Sequence, residues 1–70
     1  MIEYHLSRLN DKSAQVRLQS IKELELLGAT EVLDALRTVY ESDPDPEVRK
    51  AAKAAGKVLY EKSRQEKKSN

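Results

Sequence analysis

Slid along itself by 32 residues, the chain meets its own pattern. Asp11 falls on Asp43, Val16 on Val48, Arg17 on Arg49 and Leu27 on Leu59. Ser13 falls on Asp45, two residues with the same capping chemistry, and Ser20 on Ala52, two small ones. Upstream the match is looser, because Leu6 and Leu9 meet Leu36 and Val39 only at a shift of 30. A period of this length means one supersecondary unit used twice. Neither copy can bury its apolar face alone, so the two must stack.

The unit is helical. Ile2, Leu6 and Leu9 recur at the spacing of one helix face, as do Val16, Ser20, Leu24 and Leu27. Val32, Ala35, Leu36, Val39 and Tyr40 form a third stripe, and Val48, Ala52, Ala55 and Leu59 a fourth. No stretch keeps the alternation of a strand. The punctuation agrees: Ser13 and Asp45 suit N-caps, the latter followed by Pro46 at the first helical position. Gly28 suits a left-handed stop after Leu27, and Thr30 a cap for the next helix. The spacing predicts helices over 2–9, 13–27, 30–42 and 46–62, followed by a polar, disordered tail over 63–70. The fold class is all-α: two stacked antiparallel helical hairpins, a short α-solenoid with repeats at about 2–28 and 30–62.

The stretches LSRLNDKSAQVRLQSIKELELLG (6–28) and LRTVYESDPDPEVRKAAKAAGKVL (36–59) resemble HEAT repeats, of the short type found in phycobilisome-lyase-like proteins. The shared pattern is an apolar first helix, an Asp in the turn, then Val-Arg, a small residue and a Leu. DPDPEVRKAA carries it more closely than DKSAQVRLQS. One position departs from it: Gly56 stands where the first copy has Leu24, which should loosen the second repeat. The resemblance implies a ladder of Asp and Arg between neighbouring repeats, here Asp11, Arg17, Asp43 and Arg49. A guanidinium fork suits a half-buried rung better than an ammonium group. The resemblance also implies that the second helices line a concave binding face.

Charge is balanced over the whole chain but not locally. Residues 1–46 carry five basic and nine acidic side chains, net −4, and residues 47–70 carry eight and three, net +5. Such a dipolar molecule invites acidic partners at its basic end. At about 100° per residue, Lys50, Lys53 and Lys57 lie on the side of the last helix away from Val48, Ala52, Ala55 and Leu59. On the second helix Leu18 points away from its apolar stripe and aligns with Lys50, with Lys22 and Glu25 beside it and Ile21 at the margin. The expected partner-binding set is therefore Leu18, Lys22, Glu25, Lys50, Lys53 and Lys57.

Several chemistries find no residues to carry them. The chain has no cysteine and one histidine, His5, whose helical neighbours Met1, Ile2, Arg8 and Leu9 offer no carboxylate. No His-Glu pair, nucleophile triad or glycine-rich loop occurs, so neither a metal nor any other cofactor is expected. The resemblance implies no enclosed tetrapyrrole either, since 70 residues cannot wrap one. Tyr60 is the lone aromatic on the basic helix, which disfavours nucleic-acid binding by stacking. No apolar run nears the roughly 18 residues of a membrane span, and no signal-peptide pattern follows Met1, so the expected compartment is cytoplasmic.

The expected function is thus a non-enzymatic protein-protein interaction or scaffold module, docking another protein with an acidic surface through its second helices. The alternatives are an accessory subunit or assembly factor of a larger enzyme or bilin-related photosynthetic complex, and nucleic-acid binding through the last helix. Two repeats also leave apolar ends, which makes self-association through those ends a further expectation.

Overall fold

Each helix begins and ends where local chemistry dictates. The computed structural model describes the backbone of residues 2–68 and side chains to residue 66. Helix α1 spans Ile2–Arg8, α2 Ala14–Leu27, α3 Leu33–Ser42 and α4 Pro46–Lys68, with a 3₁₀ turn over Thr30–Val32. The Ser13 hydroxyl accepts the Val16 N–H at 3.4 Å and starts α2. The Asp45 carboxylate accepts from Glu47 and Val48 N–H at 2.8 and 3.3 Å and starts α4, with Pro46 at its first position.

Gly28 ends α2 with φ at 66°, the left-handed stop. Its N–H donates to the Glu25 carbonyl at 3.0 Å and the Ala29 N–H to the Leu24 carbonyl at 3.3 Å. This is a Schellman closure, and its accompanying apolar pair is Ala29 with Leu24, both buried.

Two boundaries differ from expectation. Thr30 makes no side-chain cap: it opens the 3₁₀ turn, and α3 proper begins at Leu33 without a side-chain hydrogen bond at its start. Buried Ala29 and Val32 hold this entry by packing instead. Helix α4 runs past Lys62 to Lys68, so 63–68 continue the helix rather than leave it. Ion pairs one turn apart support that extension, Glu61 with Arg64 at 3.5 Å and Lys62 with Glu66 at 3.9 Å. Residues 69 and 70 of the expected tail lie outside the described residues.

The first hairpin is α1 on α2 and the second α3 on α4, and α4 also lies along α2, which joins the two. The core is Leu9, Ile21, Leu24, Ala29, Val32, Leu36, Val48, Ala52, Ala55 and Leu59. Alanine at 52 and 55 keeps α4 slim where it packs against both α3 and α2. The fourth stripe is buried as the spacing predicts, but the second only in part. On α2 the buried residues are Ser20, Ile21 and Leu24, while Val16 is half-buried and Leu27 is 46% exposed. Relative to the equivalent residues of α4, the buried side of α2 is turned by about 80°. The cause is position in the stack: α2 receives α4 on the side where Ile21 and Leu24 lie. Among the described residues no helix lies against the opposite side of α2, and Leu26 there is 82% exposed.

In α1 His5 is buried and Ile2 and Leu6 only partly so, and Leu9 is buried just beyond the helix. His5 therefore fills a structural place, and its Nδ1 has no hydrogen-bond partner among the described residues.

Candidate protein-interaction surface

The turn end of the stack is built around Asp43. Arg17 reaches across from α2 and donates to its carboxylate through Nε at 2.8 Å and Nη2 at 3.1 Å. The third corner of that guanidinium, Nη1, donates to the Asp11 and Lys12 carbonyls at 2.8 and 3.1 Å. The Asp43 carboxylate also accepts the Asp45 N–H at 2.9 Å, and the Asp43 carbonyl accepts Arg49 Nη1 at 2.7 Å. Burial alone would raise the pKa of Asp43. The Arg17 hydrogen bonds, the Asp45 N–H and the charges of Arg17 and Arg49 outweigh it and hold the carboxyl below its ordinary value.

The expected ladder set thus meets in one cluster, with divided labour. Arg17 and Asp43 form the rung between hairpins, whereas Asp11 contributes its carbonyl, not its carboxylate, to that rung. The Asp11 carboxylate instead accepts the Ser13 N–H at 2.8 Å. Arg49 serves its own turn.

The expected partner-binding residues divide as well. Lys50 and Lys57 are exposed on α4 and make no ion pair among the described residues. Lys53 is exposed too, but its ammonium sits 5.6 Å from the centre of the Tyr40 ring. It borders an open groove of about 400 Å³ between α3 and α4, walled by Leu33, Tyr40 and Tyr60 with Gly56 in its lining. On α2, Lys22 is exposed and Glu25 half-buried. Leu18 is corrected: it is half-buried and packs against the core, and Ile21 is buried outright. The expected apolar spot on that side of α2 is therefore absent, because the same rotation that exposes Leu26 brings Ile21 and Leu18 inward.

Sequence reasoning missed one contact. Lys62 Nζ donates to the Gly28 carbonyl at 2.9 Å and places a cation on the C-terminal end of α2. Its signal was a lysine three residues beyond Leu59, on the edge of α4 nearest its apolar stripe.

HEAT repeats, as a family, match residues 2–66. The chain belongs to the HEAT-repeat family. No curated protein and no solved structure matches it. HEAT repeats generally mediate protein-protein interaction and are typically non-enzymatic. As the family resemblance implied, this HEAT chain is a short helical solenoid. Among the described residues no helix is long and apolar enough to cross a membrane, and no three His, Asp or Glu side chains gather as a metal site.

Proposed function

We propose that the chain is a non-enzymatic docking module that holds an acidic partner protein against the exposed faces of its second helices. The observation that carries this is the state of Lys50 and Lys57. Both ammonium groups stand in solvent on a long helix, with no carboxylate of the chain paired to them among the described residues. An internally neutralised lysine face would show pairs at i, i+3 or i+4, as Glu61–Arg64 does a few residues on. Lys53 and Lys22 widen the basic surface, Glu25 supplies an acceptor at its edge, and half-buried Leu18 lies beneath it as support. Complementary charge acts mainly on encounter rate and orientation, so binding through this face weakens as salt rises.

The test is charge reversal of Lys50, Lys53 and Lys57 together, with helicity checked by circular dichroism. Partners recovered by the wild-type chain should be lost from the folded variant. Recovery of every partner at wild-type yield would remove the basic face from the proposal.

A further inference from the structure

Both turns share one arrangement. In the first, the Asp11 carboxylate accepts the Ser13 N–H at 2.8 Å and the Asp11 carbonyl accepts Arg17 Nη1 at 2.8 Å. In the second, the Asp43 carboxylate accepts the Asp45 N–H at 2.9 Å and the Asp43 carbonyl accepts Arg49 Nη1 at 2.7 Å. Arg17 then spends Nε and Nη2 on Asp43 of the next hairpin. Arg49 has the same two donors, and among the described residues neither makes a hydrogen bond. Exposed Asp11 has the matching acceptor, bound there only by its own turn. One end of the stack therefore shows an unused donor fork and the other an unused carboxylate. These are the two groups that form the single rung between the hairpins.

The surfaces beside them match in the same way. The second hairpin covers Ile21 and Leu24 of α2, which are 1% and 0% exposed. Their equivalents 32 residues on are Lys53, exposed, and Gly56, half-buried, and both line the open groove between α3 and α4. A Cβ added at Gly56 would meet nothing within 4 Å. The groove there is an unfilled copy of the joint inside the molecule. At the opposite end α2 offers Leu27, 46% exposed, whose equivalent Leu59 is wholly buried.

We propose that the chain self-associates head to tail, a second copy continuing the stack with its Asp11 on Arg49 of the first and its Leu27 side over the Gly56 groove. The contact is heterologous, so it does not close on itself as a two-fold dimer does and adds copies in a row. Lysine and glycine replace the isoleucine and leucine of the internal joint. That makes the joint between copies weaker than the one within them, and assembly dependent on concentration. Lys53 borders both this joint and the docking face, but the residues that test the joint, Asp11, Arg49 and Leu27, lie outside the docking set.

Sedimentation velocity over a wide range of concentration tests it. The wild-type sedimentation coefficient should rise with concentration, without a plateau at dimer. Asp11→Arg and Arg49→Asp should each weaken association by about tenfold or more. Mixing the two variants should restore it, because the exchanged charges then face one another. Leu27→Lys changes a solvent-exposed side chain outside the core, so it keeps the fold. It should weaken association as well, and it carries the test should Asp11→Arg melt. A wild-type chain that stays monomeric throughout would overturn the proposal, as would a closed dimer indifferent to these substitutions.

Discussion

Replacing Asp43 by alanine tests the rung on which the joint between hairpins rests. The substitution removes two charge-assisted bonds from Arg17, at 2.8 and 3.1 Å, and the bond that turns the chain toward Asp45. The side chains of the pair are 11% and 5% exposed, so the interaction is sheltered from solvent. Hydrogen bonds to charged groups are worth about 1.5–3 kcal/mol each, and breaking a fully buried pair costs about 3–5 kcal/mol. Arg17 keeps its bonds to the Asp11 and Lys12 carbonyls and lies close enough to the surface to regain some water. A loss of about 3 kcal/mol follows. For a domain of this size that lowers Tm by roughly 12–24 °C, a large part of the total.

Acid adds a second signature. The folded carboxyl lies below its ordinary value of 3.8, so the unfolded chain takes up the proton first as pH falls. The contribution is therefore complete above the ordinary carboxylate range and disappears as pH drops through the lower folded value. Thermal melts followed by circular dichroism at neutral pH and down the acid limb should show a wide gap between wild type and Asp43→Ala that narrows in acid. A gap under about 0.5 kcal/mol at neutral pH, the size of an ordinary surface substitution, would refute the reasoning. So would a large gap that ignores pH.

Ser20→Ala should stabilise the chain by about 1 kcal/mol, because the Ser20 hydroxyl is buried with no hydrogen-bond partner among the described residues and alanine is the better helix former; chemical denaturation measures it. Gly56→Ala should add about 1 kcal/mol in the same assay, since the new methyl enters open space within α4. Val48→Asp should abolish the cooperative melt, because a wholly buried site there would receive an unpaired charge. A helical, cooperatively melting Val48→Asp chain would show that the core has been misassigned.

Much of this was legible along the chain. Ser13, Asp45–Pro46 and Gly28 act on atoms within five residues of themselves, and each performs the role its type and position imply. The same holds for Val48, Ala52, Ala55 and Leu59, whose helix has neighbours on two sides and buries the whole stripe. The basic face was legible as a pattern, although only coordinates separate Lys53, resting by Tyr40, from Lys50 and Lys57. Leu18 and Thr30 were misjudged for one reason: their surroundings come from elements distant in sequence, not from their own turn.

Periodicity, capping chemistry and the 32-residue recurrence determined four helices in two like pairs, because those effects operate over one or two helical turns. The tertiary structure decided which side of each helix is covered. Equivalent positions such as Leu27 and Leu59 are chemically identical, yet one is 46% exposed and the other fully buried. In a stack of two, each hairpin has its neighbour on the opposite side, so identical residues meet protein in one copy and water in the other.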